Sequence, residues 1–172
     1  MLSLSDNEFS VINFLVRNFN EMLTIRSVAN KLGFSPAGVF NILKKLEREG
    51  IVAGQKLGTG LFYSINLENV IAAHLAAIVL AYSEEKAEIS TGQFRQAKAA
   101  IYDKKSLLII TDSMTFLDLE IPDINIISKT EDEVIVLFRK KDSDMLNILK
   151  KGNVLFGEDK LVGIIKNCMQ VY

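Results

Sequence analysis

The chain has 172 residues, 49% of them hydrophobic, a mean hydropathy of +0.22 and a formal net charge of −1. That length holds one or two small domains, and the apolar content excludes a disordered chain. One cysteine, Cys168, and one histidine, His74, exclude an intrachain disulfide framework and a Cys- or His-rich transition-metal site.

The first residues, MLSLSDNEFS, are acidic and have no basic stretch ahead of an apolar run, so no secretory signal is expected. The longest apolar stretch, 70–82, has about 13 residues and contains His74, whereas a bilayer span needs roughly 20. The expectation is a soluble, cytoplasmic protein with no membrane partner. Charge is unevenly divided. Residues 1–66 carry seven Lys/Arg against five Asp/Glu, and 67–172 carry thirteen against sixteen. A slightly basic head on a slightly acidic body suits a nucleic-acid reader, although the difference is small.

In chain order, Ser5-Asp6-Asn7-Glu8 is a capping box, in which the serine hydroxyl and the glutamate each satisfy a backbone N–H. The helix it opens has Phe9, Ile12, Val16 and Phe19 on one stripe. Thr24 caps a second helix to Leu32, with Ile25, Val28 and Leu32 facing inward, and Gly33 ends it. Ser35-Pro36 is a preferred entry to a third helix, with Val39, Leu43 and Leu46 as its buried stripe and Gly50 as its stop. Two strand-like segments, 51–56 and 61–65, flank a tight tip at Leu57-Gly58-Thr59-Gly60.

The outer face of the third helix carries Ala37, Asn41, Lys44 and Arg48. Asn41 can pair with an adenine edge, Lys44 and Arg48 can reach phosphates, and Ala37 lets the helix approach a thymine methyl. Any amphipathic helix has a polar face, so this face alone is weak evidence. A hairpin directly after a helix-turn-helix is more specific. It reads as a wing that brings Lys56 and the tip amides near phosphate. The DNA-contact set is therefore Ser35, Ala37, Asn41, Lys44, Arg48, Lys56, Gly58 and Thr59.

Ser35-Pro36, Lys44-Lys45-Leu46-Glu47, Gly50-Ile51-Val52 and Tyr63-Ser64-Ile65 resemble the winged helix-turn-helix regulators of the arsenic-sensor and multiple-antibiotic-resistance types in bacteria and archaea. The resemblance covers about 5–66 and implies sequence-specific binding to double-stranded DNA. The metal-sensing Cys and His of the arsenic-sensor type are absent. Phe40 stands where such helices carry a polar residue or tyrosine. Three roles remain open for it: packing on the body, stacking at the DNA surface, or marking a lost DNA role.

The segment 67–82 reads as a helix apolar almost all round, which must be buried between elements or between subunits. His74 within it reads as an interior or interface histidine rather than a metal ligand. Next come a short strand at 87–90, a helix at 93–101 with Phe94, Ala97 and Ile101 in register, and apolar strands at 107–111 and 124–128. Helices follow at 131–140 and 142–151, then a strand at 153–156 and a helix at 158–168. The acidic residues Glu131, Asp132, Glu133, Asp142 and Asp144 stand at helix starts, where the dipole favours them. No phosphate loop, dinucleotide fingerprint or nucleophile–base set is present.

Asn66-Leu67-Glu68-Asn69, followed by Met145-Leu146-Asn147-Ile148-Leu149-Lys150-Lys151-Gly152 and Phe156-Gly157-Glu158, resembles winged-helix proteins fused to a minimal nucleotidyltransferase domain of the DNA polymerase β-like superfamily. Active members use a Gly-Ser pair and three Asp that hold Mg²⁺. With 107–110 as the second strand, Gly92-Gln93 occupies the Gly-Ser position, Lys104 and Ser106 the paired-Asp positions, and Asn125 the third, two residues from Asp123. The resemblance thus implies a degenerate site with no catalytic residue, metal or cofactor.

The combined reading is an α/β protein, α+β overall. A winged helix (1–66) and a linker or dimerisation helix (67–85) precede a degenerate nucleotidyltransferase-like domain (86–172). The expected function is a homodimeric transcriptional regulator, with a small-molecule or nucleotide effector as a possible partner. The alternatives are an adaptor or antitoxin-like interaction module using the winged helix, and a nucleotide sensor or residual nucleotidyltransferase.

Overall fold

Local capping builds the N-terminal helices. In the computed structural model, which describes residues 4–82, 89, 96–112 and 121–170, α1 spans Asp6–Arg17 behind the Ser5–Glu8 capping box. Helix α2, Ile25–Leu32, is capped by Thr24, with Ser27 completing the box, and ends at Gly33 with φ +69°. Helix α3, Pro36–Arg48, is capped by Ser35. Val11, Ile12, Leu15, Val16, Val28, Val39, Leu43 and Leu46 meet in the core between them. Phe19 lies past the end of α1 and is only half-buried, so the first stripe is one turn shorter than its periodicity suggests.

Strands β1 (Val52–Leu57) and β2 (Gly60–Ile65) pair antiparallel, with Leu57 opposite Gly60. A single bridge joins Tyr63 to Leu23, its N–H donating to the Leu23 carbonyl at 2.8 Å. This roots the hairpin on the α1–α2 connection. The junction Asn66–Asn69 turns back on the end of α3. The Asn66 side-chain amide donates to the Gly50 carbonyl at 3.0 Å, and Asn69 Oδ1 accepts from the N–H groups of Ile71 and Ala72. Helix α4, Val70–Ala81, therefore starts three residues later than expected.

The chain divides into two units, Met1–Val79 and Leu80–Tyr172, and the division falls inside α4. The second unit holds a four-stranded mixed sheet in the order β5-β4-β3-β6. Its strands are β3 (Ala99–Tyr102), β4 (Ser106–Thr111), β5 (Asn125–Thr130) and β6 (Asn153–Phe156). Strand β4 runs parallel to β5 and antiparallel to β3, and β3 is antiparallel to β6. Helices α5 (Glu131–Arg139), α6 (Ser143–Lys151) and α7 (Glu158–Met169) complete it. Helix α5 lies against β4 and β5, and α6 and α7 lie against β3. Ala100, Leu107 and Ile109 are fully buried, and Ile89, Ile124, Ile126 and Phe156 pack around them. Leu108 and Ile110, which alternate with them along β4, are buried as well. Burial on both faces explains why β4 reads as a continuous apolar run.

The helix expected at 93–101 is corrected at its end, because 99–101 belong to strand β3. An apolar run as short as Ala-Ala-Ile-Tyr carries no period, and pairing with strands on both sides decides it. Residues 93–95 lie outside the described residues. So does the strand expected at 87–90, apart from Ile89, which packs against the sheet without being in a strand. Among the described residues no helix is long and apolar enough to cross a membrane.

Candidate nucleic-acid interface

The turn between α2 and α3 sets the aim of α3. Gly33 is left-handed, and the Phe34 N–H donates to the Ala29 carbonyl at 3.0 Å, closing α2. Ser35 is extended, its hydroxyl accepts from the Gly38 N–H at 3.1 Å, and Pro36 occupies the first helical position. Any side chain at Gly38 would crowd that hydroxyl. With Val39, Leu43 and Leu46 fully buried, Ser35, Ala37, Phe40, Asn41 and Arg48 are left exposed, and Lys44 is partly so.

Lys44 is not a free cation. Its ammonium donates to Glu47 Oε2 at 2.7 Å. That hydrogen bond, with the nearby Tyr63 phenol, holds its pKa above the usual lysine range. Glu47 also lies against the hairpin, where a side chain at Gly54 would run into its carboxylate. The Tyr63 hydroxyl is buried there without a hydrogen-bond partner. Lys45 reaches the other way and pairs with Glu8 at 2.8 Å. Glu8 is buried, which by itself raises its pKa. Its bonds from Lys45 and from the Ser5 backbone and hydroxyl outweigh this and hold the carboxyl below the usual range. The two adjacent lysines thus do different work: Lys45 fastens α3 to α1, and Lys44 stays on the outer face under the control of Glu47.

The hairpin is exposed from Ala53 to Thr59. Its tip turns through Gly58 at φ +59°. Lys56, Gly58 and Thr59 are open to solvent, but so are Leu57 and Leu61, at 44% and 38%. The sequence reading missed this apolar tip, and it missed Glu47. The i,i+3 spacing of Lys44 and Glu47 was the available signal. Nothing local announces the Lys45–Glu8 pair.

The residues assigned to a degenerate nucleotide site are partly gathered. Lys104 sits at φ +57° in the β3–β4 turn, where Asp103 Oδ1 accepts from the Lys105 and Ser106 N–H groups. Ser106 and Asn125 are register partners at the starts of β4 and β5, and the Asn125 N–H donates to the Lys105 carbonyl at 2.8 Å. All three therefore share one end of the sheet. Gly92 and Gln93 lie outside the described residues. Asp112 stands past the end of β4, with Lys98 donating to it. Among the described residues no group of three His, Cys, Asp or Glu is placed to share a metal ion.

Three helices, a tight second turn and a two-stranded hairpin define a winged helix-turn-helix. The family model of winged helix-turn-helix DNA-binding domains matches residues 4–53, through α3 into the first strand of the wing. Neither the curated proteins nor the solved structures include a match to the chain.

Proposed function

We propose that the protein is a transcriptional regulator that binds DNA as a homodimer. In this reading its C-terminal unit is a catalytically inactive, nucleotidyltransferase-like module for dimerisation or effector sensing. The observation that carries it is the open face of α3, with Ala37, Asn41, Lys44 and Arg48, inside the segment that matches DNA-binding domains. One such module covers only about 600–1,000 Å² on DNA, and two half-sites read by a two-fold dimer supply the missing affinity.

Support for pairing comes from α4. Val70, Ile71, Ile78 and Tyr82 on and just past it are 69%, 54%, 55% and 59% exposed. Positions 70, 74, 78 and 82 recur every four residues, so the exposed His74 shares that stripe. An apolar stripe of this kind on a second copy would remove both from water. In the second unit, the sheet end with Lys104, Ser106 and Asn125 is the place for a nucleotide effector. A thermal shift with ATP, lost in Lys104→Ala, checks that part. No transfer of nucleotide is expected with any NTP and divalent metal, and incorporation of label would overturn the inactive reading.

The main test is selection from random duplexes with the full chain, alongside light scattering of the free protein. A common sequence with two-fold repetition and a dimeric mass is the expected result. A monomeric mass removes the two-half-site arrangement. Failure to retain any duplex at low salt removes the DNA reading and leaves the exposed Phe40 and Leu57 to a protein partner.

A further inference from the structure

Phe40 is the one large apolar side chain on α3 that is exposed, at 45%, while Val39, Leu43 and Leu46 on the same helix are fully buried. It is not a stray member of the buried stripe. At 100° per residue it stands on the flank of the face assigned to DNA, about 40° around the helix from Lys44, about 60° from Ala37 and about 100° from Asn41. Its neighbours one turn away in that face are Ala37, suited to a thymine methyl, and Lys44, suited to a phosphate, so the ring borders the surface that would enter the major groove.

The chemistry of the groove floor narrows what such a ring can read. Guanine presents N7 and O6 there, cytosine an amino group, adenine N7 and an amino group. The C5-methyl of thymine is the one apolar group. A phenyl ring has no hydrogen-bonding group. Against a guanine or cytosine edge it would displace water and return nothing. Against a C5-methyl it removes apolar surface on both sides. Resting on the DNA-binding reading above, we propose that Phe40 is a specificity-determining residue that selects a pyrimidine C5-methyl group at the edge of the stretch of groove that α3 covers. Thymine supplies that methyl, and so does 5-methylcytosine at the same place in the groove.

The test uses the full chain and the site it selects from random duplexes. Each thymine of the site is replaced in turn by deoxyuridine, which removes the methyl and nothing else. At one position per half-site the affinity should fall about fourfold, the equivalent of one buried carbon. Placing cytosine there should weaken binding further, and 5-methylcytosine should recover part of the loss. Phe40→Ala, at an exposed position, should abolish the thymine-to-uracil difference at that position and keep the adenine preference that Asn41 confers. Phe40→Leu should keep part of the difference. Equal affinity for thymine and uracil at every position overturns the proposal while leaving the DNA reading intact. So does a difference that persists in Phe40→Ala. Absence of binding to any duplex overturns both.

Discussion

The N-terminal unit leaves one face of its third helix open, whereas the C-terminal unit buries the central strand β4 on both faces. In the first, α3 buries Val39, Leu43 and Leu46 and holds Ala37, Phe40 and Asn41 out. In the second, β4 is buried from Leu107 to Thr111, and the polar groups around it are tied in pairs such as Lys98 with Asp112 and Glu131. The difference separates two kinds of importance. Change in the second unit should act first on stability. Change on α3 should act on recognition with the fold intact.

The largest expected effect is in the second unit. Gly157 begins α7 at φ +82°, and a side chain there would overlap the Lys98 carbonyl and Ala99. Gly157→Ala should cost about 3 kcal/mol, from strained backbone and overpacking together, read as a lowered denaturant midpoint. A neutral result would show that the start of β3 can yield. On the other side of the comparison, Asn41→Ala should cost about 1–3 kcal/mol on the selected site and little on random duplex, with an unchanged melting temperature. Equal losses on both duplexes would remove base reading from Asn41.

Glu8→Gln sits between the two kinds, because it weakens both the α1 cap and the tie to Lys45. About 1 kcal/mol of stability should be lost near neutral pH. The Glu8 carboxyl has a lowered pKa in the folded chain. Its contribution is therefore present above the ordinary glutamate pKa and disappears as pH falls through the folded value. Melting of wild type and variant should converge in acid and separate as pH rises. A gap that stays constant across that range would show that the pair with Lys45 is not what stabilises α3.

A smaller effect concerns salt. Arg48→Ala and Lys56→Ala should each lower the salt slope of DNA binding by about 0.9 if each meets one phosphate. Lys44→Ala should lower it less, since Glu47 competes for the ammonium. Glu47→Gln should tighten binding at low salt by releasing Lys44. The reverse order among the three cations would mean that Lys44 leaves Glu47 fully on the DNA. The smallest effect is chemical. Cys168 is buried and its pKa is raised by that burial, against a lowering from Arg139. It should react with a thiol reagent much more slowly in native protein than in denatured protein. Equal rates would show that α7 opens readily.

The starts of the first three helices and the stop of α2 were legible in the sequence because each depends on residues three or four apart. Ser5 with Glu8, Thr24, Ser35 with Pro36, and Gly33 act within one turn and need nothing else. The same holds for the helices after Thr130 and Asp142. The polar face of α3 followed from the same period. What that face can do was only half legible. The period set Lys44 on the outer face and left Lys45 off it, but the partner of Lys45, Glu8, lies far off along the chain.

Local chemistry therefore determined where the helices begin, where the wing turns and which side of α3 faces out, since caps, turns and periodicity act over a few residues. Tertiary structure alone decided that Ala99–Tyr102 is a strand between β4 and β6, because a four-residue apolar run takes its conformation from its neighbours. It decided as well that Ser106 and Asn125 stand side by side, which follows from the parallel register of two strands separated in sequence. It left Phe40 uncovered on the outer face of α3, because burial is a property of the folded surface and not of the residue.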